Sequence, residues 1–389
     1  MVTLQTADNA LKSFYLDAVT DALNMKVNPL LAKIQRTSNN VVGKDVRKAV
    51  RLGINGGIGA GTETGDLPTP TYSNYVQFVA PLKNLYGTIE ISDKAIRASA
   101  NNEGAFVNLL NNEMESLVKS ASFNFGRMLY GDGTGILAIV EDAREGNQIY
   151  LTSVKSIIEG MALDFSDERG DIIPAISGRR VVFVDRVERI VYLEGSEICD
   201  DVALGGRVYL SGSKDYELSG LGALFGESDL YGVDRESVPA LKPYVKNGIG
   251  NISETILQTA LDDIEENSGN RANFIVCSWG VRRALLNYCR DNNIMLPTVE
   301  CEGGFKALSY NGIPIVADRF CPAGTMYLLN TDDFKLHQLC DWKWLEGEDG
   351  KILKQIAGKP VYTATLVKYA ELICSKPNGQ GMLTDICEV

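Results

Sequence analysis

The spacing of apolar and polar residues changes several times along the chain, and each change predicts a new element. Over about residues 7–24, Leu11, Phe14, Tyr15, Ala18, Val19 and Leu23 recur at steps of three and four, which predicts an amphipathic helix. Pro29 interrupts the polar segment that follows, so residues up to 40 read as an arm. From Val41 the pattern alternates. "GKDVRKAVRLGI" leads into the stretch "GINGGIGAGTETGDLPTP", Gly53 to Pro70, and "YSNYVQFVAPLKNLYGTIEIS" leads out of it. Tyr75, Gln77 and Val79, and later Thr88 and Glu90, alternate with their neighbours. Strand, glycine-rich tip and strand make a long hairpin. Lys44, Arg47, Lys48 and Arg51 also fit one face of a helix, so strand and helix both stay open for the ascending limb.

The longest periodic segment runs from Gly104 to Tyr130. Phe106, Val107, Leu110, Met114, Leu117, Val118, Ala121, Phe125, Met128 and Leu129 form its apolar stripe, and "YGDGTG" stops it, with Gly131 suited to a left-handed cap. Residues 137–230 then turn β-rich. "QIYLTS", "MALDF", "RRVVFVDRVERIVYLEG" and "GRVYLSG" are short, glycine-punctuated strands, which predicts a small barrel or sandwich inserted between helical regions. From 251 the chain alternates. "NISETILQTALDDIEEN" is a helix with Asn251 and Glu254 suited to a capping-box-like start. "NFIVCS" is a buried strand and "GVRRALLNYCRDN" a second helix. "NGIPIVADRF" and "GTMYLLNTDDF" are strands, as are "KILKQIAG" and "PVYTATLVKYAELICSKP" in residues 341–389.

Composition narrows the function classes. The net charge is −12, from 50 acidic against 38 basic residues, whereas a tight nucleic-acid binder normally carries a basic surplus. The 8 cysteines form no C-x-x-C pair and several lie in apolar runs, so they read as reduced core thiols of a chain that folds in the cytosol. The first residues lack the basic and apolar blocks of a signal peptide, and no apolar run is long enough for a membrane span.

The search for chemistry returns no catalytic, cofactor or metal residue. The glycine stretch has P-loop spacing at Gly56 and Gly61, but position 62 is Thr, not the Lys that would reach a phosphate. Gly57 and Gly59 would need a glycine at 62 for a dinucleotide fingerprint, and Pro68 and Pro70 forbid the helix that should follow. A hairpin tip is the simpler reading. His337 is the sole histidine, and no G-x-S-x-G presents a serine to it, so a strand-face residue is the simpler account. Asp262, Asp263, Glu265 and Glu266 fall on the polar face of their helix, opposite Leu257, Ala260, Leu261 and Ile264, as a solvated face does. The four basic residues at the hairpin base suit an acidic neighbouring surface at least as well as nucleic acid.

The order of parts, and several stretches of residues, resemble the major capsid protein of tailed bacteriophages, the Hong Kong-ninety-seven-like fold. "GTIEISDKAIRAS" and "GAFVNLLNNEMESLVKSASFNFGRMLYGDGTG" resemble the descending limb of its extended loop and its spine helix, closed by Gly131 to Gly135. "ISETILQTALDDIEENSGNRANFIVCSWGVRRALLNYCRDN" and "YNGIPIVADRFCPAGTMYLLNTDDFKL" resemble its axial domain, and "GKPVYTATLVKYAELICSKPNGQGMLTDI" its returning peripheral strands. The resemblance implies an α+β fold: arm 1–40, extended loop 41–97, peripheral domain with spine helix 98–136, inserted β domain 137–230, axial domain 231–340, and peripheral strands with the C-terminus 341–389. The inserted β domain departs from the minimal fold.

By resemblance the chain would be a non-enzymatic shell subunit of a virion, assembled in the bacterial cytoplasm and enclosing double-stranded DNA without gripping it. Its implied partners are itself in pentamers and hexamers, a separate scaffolding protein and a portal protein. Subunit contacts would fall on the loop residues Lys44, Arg47, Lys48, Arg51, Gly56, Gly57, Gly59, Gly61, Glu63 and Asp66, and on a peripheral loop with Glu346, Glu348, Asp349 and Lys351. The rival readings are an encapsulin-like nanocompartment and, further off, a glycine-loop nucleotide-binding enzyme.

Overall fold

In the computed structural model the described residues are 28–53, 57–66, 69, 73–94, 103–144, 146–198, 201–294, 297–301, 305–347 and 350–388. The helix expected over 7–24 lies outside them. The chain starts with a short helix α1 (Pro29–Lys33), whose first turn is capped by the Asn28 side chain, and strands β1 (Gln35–Thr37) and β2 (Val41–Val42). The ascending limb is a strand, β3 (Asp45–Leu52), which settles the open choice against a helix. It pairs antiparallel with β4 (Asn74–Pro81), from Asp45 opposite Pro81 to Leu52 opposite Asn74. β5 (Lys83–Ser92) follows and turns into the main sheet.

The long helix α2 spans Glu103–Met128. It ends without a left-handed Gly131, contrary to expectation. Positive φ falls instead at Gly133 and Gly135, and the helix tightens through Tyr130 N–H to Arg127 O and Gly131 N–H to Met128 O bonds. Its last carbonyls also receive donors from further along the chain. Leu221 N–H donates to Leu129 O at 2.8 Å, and Gly220 lies so close that an added Cβ would sit 2.4 Å from that oxygen.

The β-rich insertion is a closed six-stranded barrel. Its strands are β6 (Ile136–Arg144), β7 (Gln148–Leu151), β8 (Ala162–Phe165), β9 (Arg179–Asp185), β10 (Ile190–Leu193) and β11 (Arg207–Leu210), closed in the order β10-β7-β6-β11-β8-β9. Alternate residues point inward. Ile149, Leu151, Leu163 and Val208 are fully buried, with Phe165, Val181 and Val191 beside them. Register shifts at Val140/Asp142, Tyr192/Leu193 and Val208/Tyr209 put bulges where a small barrel must bend. β6 was not anticipated from the sequence, yet it joins β7 to β11 in the closed ring.

After the barrel come a short helix α3 (Leu221–Phe225) and β12 (Tyr244–Lys246). α4 (Glu254–Ser268) is capped by Ser253, whose side chain accepts from Ile256 N–H, so the expected Asn251 start is displaced by two residues. β13 (Phe274–Cys277), α5 (Trp279–Asp291), β14 (Thr298–Cys301), β15 (Phe305–Tyr310), β16 (Ile313–Ala317) and β17 (Met326–Leu329) complete this region. With β21 (Gly381–Leu383) they form a seven-stranded sheet, order β12-β21-β17-β13-β16-β15-β14. Ile275, Cys277 and Leu328 face α4 and α5, while Phe274, Val276 and Leu329 join the larger core, so both faces are covered.

The main sheet is built on β18 (Phe334–Trp344) and β20 (Val361–Cys374), with β1 parallel to β18, and β19 (Lys354–Gln355) and β5 both against β20. Only two residues of "KILKQIAG" are strand. Ile352 and Leu353 are buried as loop anchors instead. β18 runs through the 340/341 division drawn from the sequence, and β21 carries residues 381–383 back to the seven-stranded sheet. α2 crosses the main sheet at Gly87, where an added Cβ would meet Leu117 Cδ1 at 2.8 Å. Of the cysteines, Cys277, Cys289, Cys321 and Cys374 are buried as expected. Cys340 is half-buried and Cys387 exposed, so those two are not core thiols.

Candidate assembly surface and the clamps behind it

The β3–β4 hairpin has two unlike faces and two unlike halves. Its outer face carries Arg47, Ala49 and Arg51, directly opposite Val79, Gln77 and Tyr75, and all six are exposed. Its inner face is buried only near the base, at Val46, Phe78 and Ala80. There the Phe78 ring lies 5.2 Å from the Tyr231 ring, and Val79 N–H donates to Tyr231 O at 3.0 Å. Further out Val50, Val76 and Leu52 are only half-covered. Beyond them Gly57–Asp66 has no regular structure, and Ile58 is 94% exposed. The basal half is thus packed on the body and the distal half overhangs it.

This geometry divides the basic cluster. As a strand, β3 points Arg47 and Arg51 outward and Lys48 inward. Lys48 Nζ donates to Ser375 Oγ, and burial, followed by the nearby Lys335, lowers its pKa. Arg47 pairs with its own neighbour Asp45 at 3.5 Å. Lys44 lies in the turn before β3, where its carbonyl accepts from Leu82 N–H. Gly59, Gly61, Glu63 and Asp66 are exposed at the tip and Gly57 is half-buried; Gly56 lies outside the described residues, as do Glu348 and Asp349. Glu346 and Lys351 are exposed in the loop after β18, where Gly347 N–H donates to Lys351 O.

Three buried charged groups, none singled out from the sequence, hold the elements behind this hairpin. Arg127 on α2 makes a bidentate pair with Glu217, with Nη1 to Oε2 at 2.7 Å and Nη2 to Oε1 at 2.6 Å. The pair ties α2 to the strap leaving the barrel. Glu371 on β20 is fully buried. Its Oε1 accepts from Ser219 N–H at 2.9 Å and Leu372 N–H at 3.1 Å, its Oε2 has no partner, and burial pushes its carboxyl up to about 7. Lys368, also on β20, donates to Asp341 at 2.6 Å and Gln338 at 2.9 Å and lies near the Phe125 and Trp342 rings. Asp341 takes Arg36 at 3.0 Å as well. A Lys and a Glu inside the apolar run "LVKYAELIC" were the visible signal for two of these clamps.

His337 is buried on β18 with Nδ1 2.8 Å from Asn39 O, and burial lowers its pKa. Among the described residues no group of three or more His, Cys, Asp or Glu could hold a metal, and no helix is long and apolar enough to cross a membrane. What the region offers is surface: an overhanging ribbon with an arginine–tyrosine face on a clamped body.

No family model and no curated protein matches the chain. Among solved structures, the cyanophage A-1(L) capsid asymmetric unit aligns over 94% of this chain and 93% of that one, with TM-score 0.55 and 12% identity. Looser likenesses are the capsid of Myoviridae phage XM1 (9% identity, 92% of each chain, TM-score 0.46) and the holo-SrpI encapsulin complex of Synechococcus elongatus PCC 7942 (9% identity, 92% and 88%, TM-score 0.46). The likeness to the cyanophage chain is one of fold. The chain has an α+β phage capsid-protein fold that includes a closed six-stranded barrel.

Proposed function

We propose that the chain is the major capsid protein of a tailed double-stranded DNA phage, a non-enzymatic subunit that closes into a shell by binding copies of itself. The observation that carries this reading is the overhanging half of the β3–β4 hairpin, on a fold whose end-to-end likeness is to a capsid chain. An exposed Tyr75, Val79 and Ile58 beside Arg47 and Arg51 gain little in an isolated subunit and would gain by lying on a neighbour. A ribbon of this length would bury on the order of 1,000 Å² in total, the lower bound for a specific interface.

In this reading residues 41–97 are the extended loop, α2 the spine helix, the main sheet the peripheral domain, the seven-stranded sheet the axial domain, and the barrel an inserted surface domain. Arg47, Arg51 and the tip from Gly56 to Asp66 contact the next subunit, with Lys44 at the root. The loop carrying Glu346, Glu348, Asp349 and Lys351 is the acidic surface they meet. Lys48 acts inside its own subunit. Pentamers and hexamers, a separate scaffolding protein, a portal and weakly held DNA follow from the same reading, as does assembly in the host cytoplasm. The net charge of −12 supports loose rather than tight DNA contact.

Purified protein, alone and co-expressed with a scaffolding partner, should give closed particles by sedimentation and negative-stain microscopy. A monomer under every such condition would overturn the reading.

A further inference from the structure

Asn–Gly pairs recur in the described chain at Asn247–Gly248, Asn311–Gly312 and Asn378–Gly379, and their surroundings differ. Asn247 and Gly248 are exposed, just after the edge strand β12, alongside Thr384 and Asp385, which follow β21. Thr384 Oγ1 lies 2.7 Å from Asn247 Oδ1, the shorter of its two acceptor contacts, and 3.2 Å from Asp385 Oδ2, and Gly248 N–H donates to Asp385 Oδ2 at 2.9 Å. Asp385 holds this position with a left-handed φ of 57°, and Gly248 has φ 67°. Thr384 N–H to Lys246 O, Ile249 N–H to Thr384 O and Gly250 N–H to Asp385 O fix the two segments side by side.

We propose that Asn247–Gly248 is a self-modification site at which the fold promotes loss of the Asn247 side-chain amide. The nucleophile is the Gly248 backbone nitrogen, unhindered because glycine has no Cβ. It attacks Asn247 Cγ while its proton passes to the Asp385 carboxylate. The oxyanion formed at Oδ1 is held by the Thr384 hydroxyl. The new N–Cγ bond stays and the Cγ–Nδ2 bond breaks. Nδ2 takes the proton back from Asp385 and leaves as ammonia. Water then opens the five-membered imide at either carbonyl, giving aspartate or isoaspartate. No electron transfer is involved. The product puts a second carboxylate beside Asp385 at the edge of the seven-stranded sheet, and the isoaspartate form also adds a carbon to the main chain there.

The other pairs lack this arrangement. Asn311 (φ 49°) and Gly312 (φ 82°) form the tight turn between β15 and β16, and Asn311 Nδ2 donates to Gln258 Oε1. Gly379 N–H donates to the carbonyl of Lys376, not to a carboxylate. They serve as internal references.

The test is a time course on the full-length protein at neutral pH, with each Asn–Gly peptide quantified by mass spectrometry and isoaspartate assayed separately. A urea-unfolded sample supplies the rate set by sequence alone. The expected result is that Asn247 converts about ten-fold or more faster than Asn311 and faster than in urea, and that Asp385→Asn and Thr384→Val each slow it by about ten-fold without changing Asn311. A folded rate at Asn247 equal to or below the unfolded rate would overturn the proposal. So would an unchanged rate in Asp385→Asn; an unaltered Asn311 rate in that variant shows that the fold has survived.

Discussion

The barrel and the β3–β4 hairpin are both antiparallel β with one apolar face, yet they end in opposite states. In the barrel each of the six strands has two neighbours, and inward residues such as Ile149, Leu151 and Leu163 have no exposure. In the hairpin the apolar face is covered only where Tyr231 and the body reach it, at Val46, Phe78 and Ala80, while Val50 and Val76 further out are only half-covered. Alternation alone does not bury a face. Closure does, or a partner does. The barrel supplies its own closure, while the distal hairpin finds no such cover among the described residues of its own subunit.

The sharpest way to break this comparison is to put the same charge into both regions. Leu163→Asp places an unpaired carboxylate in the closed core, which costs several kcal/mol, comparable with a domain's net stability of about 5–15 kcal/mol. The barrel should unfold, seen as lost β-type circular dichroism and early protease cleavage between 136 and 211. Tyr75→Asp should leave the subunit's melting curve unchanged. Equal damage from both would mean that the hairpin is core. The segment 136–211 expressed alone should also melt cooperatively, because its closure uses only its own strands.

The next largest effect concerns how the barrel is attached. Arg127→Ala leaves Glu217 buried and unpaired, at a cost of about 3–5 kcal/mol. Calorimetry should then resolve the barrel from the body as separate transitions. The pair Arg127→Met with Glu217→Leu should recover most of the loss. A single unsplit transition in Arg127→Ala would show that the rest of the strap, through Leu221 and Glu371, suffices.

Local signals were legible and distant pairings were not. The glycine tip, the long helix and four barrel segments stand out because period, glycine and apolar runs are local. β3 stayed ambiguous because Lys44, Arg47, Lys48 and Arg51 satisfy a helical spacing, and only the pairing with β4 decides for a strand. β6 was not among the strands read from the β-rich stretch: "ILAIVEDAR" opens with five apolar residues in a row, a run that period alone assigns to neither strand nor helix. The Arg127–Glu217 pair spans 90 positions, and nothing local marks either residue as buried. Lys368 and Glu371 did carry a signal, as charges inside an apolar strand, but their partners Asp341 and Ser219 come from other elements.

A smaller effect is a pH dependence that belongs to the body and not to the hairpin. Glu371 is raised to about 7 in the folded chain, mainly by burial, above the ordinary carboxylate value. A raised acid stabilises the fold fully below its unfolded pKa. That contribution is lost as pH rises through the folded value, so between about pH 4.5 and 7.5 it should fall by on the order of 3 kcal/mol. Lys83 and Tyr231 face the site from neighbouring elements, and burial raises the Tyr231 hydroxyl still further above that window. Glu371→Gln should flatten urea-melt stability across the window, while Tyr75→Asp keeps the wild-type slope. A slope that survives Glu371→Gln would assign it to other groups.

The smallest effect on the subunit is expected at the tip, where the consequence for assembly is greatest. Replacing residues 54–68 by a short turn removes a segment whose described part is almost wholly exposed, and shortening the loop changes closure entropy by only about 1 kcal/mol. The melting curve of the monomer should therefore barely move. Between subunits the accounting differs. Ile58 and the outer face at Tyr75, Val79, Arg47 and Arg51 would be covered only by a neighbour, and a closed shell repeats that contact at every subunit. A loss of about 1.4 kcal/mol per contact is already ten-fold in each association constant, and repetition compounds it. Particle yield by sedimentation should fall to background while circular dichroism stays native. Arg51→Glu should show the same split more weakly, since a single exposed charge contributes about 1 kcal/mol or less. Intact shells from the deletion would make the tip ornamental and leave the half-anchored hairpin without a purpose. An unfolded monomer would show that the tip packs within its own subunit, and the contrast with the barrel would collapse.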